Sequence, residues 1–140
     1  MLTRILIADD HEVARASLKL MIASKSDWDL VAQATDGVEA VEKARMECPD
    51  IAVLDIQMPR MDGIQAAKQI LTLCPRTAVL AVSLHEPEQL LETLQETGVR
   101  GFVPKGRLGS ELVPAVETIL KGGTWFKVAR EKKARQHGAP

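Results

Sequence analysis

Ile51-Ala-Val-Leu-Asp55, continuing through Ile-Gln-Met-Pro-Arg-Met-Asp to Gly63, is the stretch on which the fold turns. Four successive apolar residues form a strand-sized run without polar alternation, the pattern of a strand covered on both faces. The run stops at a carboxylate, and Gly63 stands where the next helix begins. Outward from it the same pattern recurs in Arg4-Ile-Leu-Ile-Ala8, Leu30-Val-Ala-Gln-Ala34, Ala78-Val-Leu-Ala-Val82 and Gly101-Phe-Val103.

Helix-sized segments separate these runs, each marked by an apolar stripe. The stripes are Val13, Ala16, Leu20 and Ala23; Val38, Val41 and Ala44 with Arg45 and Met46; and Ile64, Ala67, Ile70 and Leu71. Leu90, Leu91 and Leu94 make a fourth, and Leu112, Val116, Ile119 and Leu120 a fifth. Gly37 and Gly98 also fall at helix edges, and Pro87 sits at a first helical position. Ser110 reads as the N-cap of the last helix, which puts Pro114 in its first turn, where a missing N–H costs least. Five strands, each followed by a helix, predict a doubly wound α/β domain with a parallel sheet flanked by five helices.

The chain has 140 residues, enough for one domain with its own core. Hydrophobic residues at 46% and charged residues at 26% exclude disorder throughout. No apolar stretch approaches the roughly 20 residues of a membrane span, and the N-terminus lacks a signal-peptide core, so a cytoplasmic location without membrane contact is expected. The net charge of −1 argues against a strongly basic nucleic-acid binder, but it is unevenly spread. Residues 127–140 carry five basic groups against Glu131, a net +4, which leaves −5 on residues 1–126. Cys48 and Cys74 each precede a proline, belong to no CxxC pair, and read as two reduced structural thiols.

Ligands of open α/β sheets bind beyond the carboxyl ends of the strands. There the sequence places Asp9 and Asp10, Asp55, Ser83 and Lys105. Singly these are a helix cap, a turn hydroxyl and a surface amine. Together, three carboxylates, a hydroxyl and an ammonium on one sheet edge waste desolvation energy unless they meet a cation and an anion. Hard oxygen ligands with room for water suit Mg2+, which takes one or two carboxylates together with phosphate oxygens.

In these residues the chain resembles the receiver domain of two-component response regulators, over Leu2 to Trp125. The resemblance rests on Asp55-Ile-Gln-Met-Pro-Arg-Met-Asp-Gly63, Ile7-Ala-Asp-Asp-His11, Val82-Ser83 and Val103-Pro-Lys105. The Ala8-Asp-Asp-His-Glu-Val-Ala-Arg15 stretch, Gly37-Val-Glu-Ala40 and Gly122-Gly-Thr-Trp125 are most similar to the NarL/FixJ subfamily. It implies a flavodoxin-like strand order 2-1-3-4-5, a receiver at 1–125, and a basic tail or linker remnant at 126–140. It also implies a signalling phosphoacceptor that catalyses only its own phosphoryl transfer and hydrolysis. Asp55 would take the phosphoryl group from a phosphohistidine of a sensor histidine kinase. Asp10, Asp55 and the Gln57 backbone carbonyl would hold Mg2+, with Asp9 acting through water. Lys105 would pair with phosphoryl oxygens, and Ser83 would move to bond one of them. Phe102 would be the switch aromatic that follows Ser83; its plain alternative is a packed core ring.

Some positions depart from the family pattern. Gly106 follows Lys105 where proline is frequent, so a cis peptide is not assumed. Leu84 is larger than the small residue usual beside Ser83 and narrows access. Gln57 and His85 flank the entry of an attacking water and are candidates for tuning the lifetime of the acyl phosphate.

Three other readings compete. A haloacid-dehalogenase-type phosphatase needs an acid two residues past its nucleophile, where Gln57 stands. A flavodoxin-like electron carrier would set a flavin phosphate against Asp-Asp-His-Glu. A receiver-like module that is never phosphorylated would not need the intact set. The output is either that of a stand-alone receiver or control of transcription through a helix-turn-helix domain outside this chain, the only route to DNA beyond a minor role for the tail. The segment from Glu86 to Thr97, the fifth strand and the last helix form the expected partner face, and a homodimer is a further expectation.

Overall fold

A computed structural model of the chain describes residues 1–85 and 88–126. The expectation for Pro87 and the basic run after Phe126 lie outside the described residues. Strands β1 (Thr3–Ala8), β2 (Trp28–Ala34), β3 (Ile51–Asp55), β4 (Ala78–Ser83) and β5 (Gly101–Pro104) alternate with helices α1 (Glu12–Ala23), α2 (Gly37–Glu47), α3 (Gly63–Leu73), α4 (Glu88–Thr97) and α5 (Leu108–Leu120). The strands pair in parallel in the order β2-β1-β3-β4-β5, as expected.

The unbroken apolar runs are explained by strand parity. Successive side chains point to opposite faces, so Leu6, Ala52, Leu54, Val79, Ala81 and Phe102 enter one core with α2, α3 and α4. Their neighbours Ile5, Ile7, Ile51, Val53, Leu80, Val82 and Val103 enter a second core with α1 and α5. Alanines dominate the first core's helices, with Ala40 and Ala44 of α2 and Ala66 and Ala67 of α3 all buried. Small side chains let these two helices lie close to the sheet and to each other.

Four readings are corrected. The inner face of α1 is Leu18 and Ile22, whereas Val13 and Leu20 of the expected stripe are 81% and 75% exposed. Apolar residues stand on both sides of this helix, and periodicity alone picked the wrong one. In α2, likewise, Gly37, Ala40, Val41 and Ala44 are buried while Met46 faces outward.

Ser110 does not cap α5. Leu108 and Leu112, both buried, extend its apolar face upstream, and a 3-10 turn at Lys105–Arg107 leads directly into it. Pro114 therefore lies inside the helix, and the Ser110 carbonyl goes without the N–H that residue 114 would otherwise donate to it.

Cys48 and Cys74 are not reduced thiols but a disulfide, with Cα atoms 5.5 Å apart. They are the C-cap residues of α2 and α3, two helices packed side by side, so their ends meet although 26 positions separate them in sequence.

Candidate functional site

Each acid at the sheet's carboxyl edge is fixed by the strand that precedes it. Asp55 is the last residue of β3, the central strand, and is 1% exposed. Asp9 directly follows the neighbouring β1 and is wholly buried, whereas Asp10 one residue on is exposed. Gly63 keeps the loop after Asp55 tight: a Cβ there would lie 2.3 Å from the Asp55 carbonyl oxygen, so only glycine lets α3 start against the end of β3. Asp36 and Arg60 clamp that loop to the start of α2. The guanidinium meets Asp36 Oδ2 at 2.8 Å, and Asp36 also accepts the Glu39 N–H at the α2 N-terminus. This backbone hydrogen bond, aided by Arg60 and opposed by burial, lowers the Asp36 pKa.

Lys105 arrives from the other side, at the first position after β5. Its Nζ lies 2.9 Å from Asp9 Oδ2 and 2.9 Å from Asp55 Oδ2, with the side chain only 8% exposed. The ammonium donates a hydrogen bond to Asp55. Asp9 Oδ2 is fully buried and receives no directed hydrogen bond among the described residues, so Lys105 meets it as an ion contact. Burial raises the Asp55 pKa; the Lys105 hydrogen bond works against it, and the charge on Asp9 reinforces it. Burial alone would lower the Lys105 pKa, but the close contacts with the Asp9 and Asp55 carboxylates and their charge outweigh it and raise it. One ammonium thus faces two desolvated carboxylates, and negative charge is in excess.

Asp9, Asp10 and Asp55 are brought together as expected, and with His11 their ligand atoms lie within 4.8 Å of one another. The Gln57 N–H donates to Asp55 Oδ1 at 3.1 Å. Ser83 ends β4 beside Pro104, is buried, and accepts the His85 N–H at 3.2 Å. Leu84 projects outward. Phe102 is 2% exposed and packed in the α2–α3–α4 core. No peptide bond among the described residues is cis.

The sequence alone gives His11 no role. Its Nδ1 lies 3.3 Å from Asp9 Oδ1, 3.2 Å from Asp10 Oδ1 and 3.9 Å from Asp55 Oδ2. The signal in the sequence is its place directly after two aspartates at a strand end.

Residues 5–117 match the response regulator receiver domain family. The chain belongs to that family. Receiver domains are phosphoacceptor signalling domains of two-component systems and not enzymes acting on a separate substrate. The chain is 31% identical over 123 residues to the transcriptional regulatory protein DegU of Brevibacillus brevis, covering 88% of this chain and 52% of that protein. It is 32% identical over 124 residues to the oxygen regulatory protein NreC of Staphylococcus carnosus, covering 88% and 57%. This receiver therefore spans little more than half the length of these relatives.

Among solved structures, a LuxR-family two-component response regulator from Aurantimonas sp. SI85-9A1 superposes with a TM-score of 0.89 at 28% identity, covering 100% of both chains. The receiver domain of the response regulator NarL from Mycobacterium tuberculosis superposes at 0.82 with 31% identity, over 86% of this chain and 98% of that one. These likenesses support the NarL/FixJ subfamily for this receiver.

Proposed function

We propose that Asp55 is the phosphoacceptor of this receiver and that a sensor histidine kinase supplies the phosphoryl group. The carboxylate attacks phosphorus, the P–N bond of the phosphohistidine breaks, and the imidazole leaves. What carries this reading is Lys105, whose buried ammonium is shared between Asp9 and Asp55 at 2.9 Å each. A cation held at that point can follow the charge from the carboxylate to the phosphoryl oxygens.

The donor set fits Mg2+: three clustered carboxylates carry more charge than one ammonium offsets, and Asp10 is open to water. Asp10, Asp55 and the Gln57 carbonyl would hold the ion directly, with Asp9 through water. When bound, it would neutralise charge on the phosphoryl group. Phosphorylation turns a carboxylate of charge −1 into an acyl phosphate of about −1.5 to −2 with three strong acceptor oxygens. Ser83, now engaged with the His85 N–H, would turn toward one of them and leave room for Phe102 to change rotamer. Gln57, His85 and Leu84, each within two residues of Asp55 or Ser83, would set the rate at which water returns Asp55 to its free form.

Residues 1–125 form the switching unit in this reading, with 126–140 as a basic tail or linker. A cytoplasmic location, a homodimer and control of transcription through a DNA-binding domain elsewhere in the full protein complete it. DegU's name as a transcriptional regulator supports the last of these. The test is incubation with acetyl phosphate and Mg2+ followed by intact-mass measurement. Wild type should gain one phosphoryl group and Asp55→Asn none; an adduct in both, or in neither with any donor, removes the proposal.

A further inference from the structure

The imidazole of His11 stands among the acids in a way that capping does not explain. His11 precedes α1 at the N-cap position but makes no side-chain cap bond to it. Its Nδ1 turns instead toward the acids, with Asp9 Oδ1 at 3.3 Å, Asp10 Oδ1 at 3.2 Å and Asp55 Oδ2 at 3.9 Å. Lys105 Nζ is 3.4 Å away. When the ring presents its lone pair, Nδ1 joins the carboxylate oxygens of Asp9, Asp10 and Asp55 as an acceptor, and the cluster then holds more acceptors than the one Lys105 ammonium offsets.

The spacing suits a cation centre. Ligands at roughly 2.1 Å from one octahedral ion stand about 3 Å apart along each edge of the polyhedron, close to the separations of Nδ1 from Asp9 and Asp10, with Asp55 farther off at 3.9 Å. The ring is 57% exposed, so a hydrated ion has free approach from solvent.

We propose that His11 is a nitrogen donor at this centre and gives it a preference for first-row transition ions, of the Mn2+ and Zn2+ kind, over Mg2+. Mg2+ is a hard ion that prefers oxygen, and a neutral imidazole adds little to its binding. The same nitrogen adds strongly to the binding of borderline ions, which rises across the first row. His11 then decides which ion occupies the site in a cell containing both kinds. The inference deepens the phosphoacceptor reading and rests on it only for the location of the metal centre.

The test uses metal-free wild type, His11→Gln and His85→Gln, titrated calorimetrically with MgCl2, MnCl2 and ZnCl2. Pulsed electron paramagnetic resonance of the Mn2+ complexes reads nitrogen coupling directly. His11→Gln should weaken Zn2+ binding by about tenfold or more while changing Mg2+ binding by less than about threefold. Nitrogen modulation should appear in wild type and His85→Gln and vanish in His11→Gln. Absence of nitrogen coupling in wild type, its persistence in His11→Gln, equal losses for Mg2+ and Zn2+, or no Mn2+ binding overturns the proposal. The wild-type spectrum decides even if the variant fails to fold. Acetyl phosphate labelling with Mg2+ on the same preparation keeps the two readings apart: an adduct without nitrogen coupling removes His11 and leaves Asp55 standing, and nitrogen coupling without an adduct does the reverse.

Discussion

The two ends of the sheet are built on opposite principles. At the carboxyl end, Asp9 and Asp55 are buried against a single ammonium, and nothing covalent holds them there. At the amino end, the Cys48–Cys74 disulfide joins the last turns of α2 and α3. Arg4 bonds the Glu47 carbonyl and carboxylate at 2.6 and 2.7 Å, and Thr77 Oγ1 donates to the Pro49 carbonyl at 2.6 Å. One end is tied down and the other is left electrostatically unbalanced. The difference teaches that this domain keeps its capacity for change where charge is in excess, and keeps its rigidity at the far end of the same strands.

The comparison breaks most severely at Lys105. Replacing it with methionine leaves two buried carboxylates uncompensated and should cost about 3–5 kcal/mol at neutral pH in metal-free buffer. Because the folded-state pKa of Asp55 is raised, its ionised form is the penalised one. The loss should therefore be complete above that raised pKa and shrink as pH falls through it toward the ordinary carboxylate value. Urea denaturation at a series of pH values measures this, and a loss independent of pH would contradict the account.

At the other end, Cys48→Ser should lower stability by about 3.5 kcal/mol, the loop-closure value for a link of this span. The Mg2+ affinity at the opposite edge should not follow. Calorimetric titration of oxidised wild type and the variant checks both halves, and a parallel fall in metal affinity would show that the two ends are coupled.

A smaller effect sits between them. Asp36→Ala removes the α2 cap and the Arg60 partner, for a loss of about 1 kcal/mol. The folded-state pKa of Asp36 is lowered, so its contribution is present above the usual value near 3.8 and disappears as pH falls through the lower folded-state value. Thermal melts of wild type and Asp36→Ala should converge at strongly acid pH. Least of all, Leu20→Lys on the outer face of α1 should change stability by no more than about 0.5 kcal/mol; a large loss would restore Leu20 to the core.

Strand number, parallel pairing and the placing of Asp9, Asp10, Asp55 and Lys105 at one edge were legible in the sequence because each depends on local pattern. An unbroken apolar run means a strand covered twice, and the residue after it must stand at the sheet's edge. What failed depended on contacts distant in sequence. Nothing local distinguishes the Val13–Leu20 side of α1 from the Leu18–Ile22 side, since both are apolar and only the β-sheet chooses. The pairing of Cys48 with Cys74 needs α2 and α3 to lie side by side. The position of Pro114 was misjudged because Ser110 is a good cap on its own terms, and the burial of Leu108 overrides it. His11 escaped for a different reason: its role depends on the rotamer of an exposed ring, which no spacing encodes.

Strand parity has a last consequence for how this protein can be altered. Phe102 and Val103 are adjacent in sequence yet belong to different cores, one shared with α2, α3 and α4 and the other with α1 and α5. The sheet acts as a bulkhead: volume added or removed on one side is absorbed by that side's helices. New recognition surfaces can accordingly be engrafted on α1 or α5 without disturbing the compartment in which Phe102 would turn.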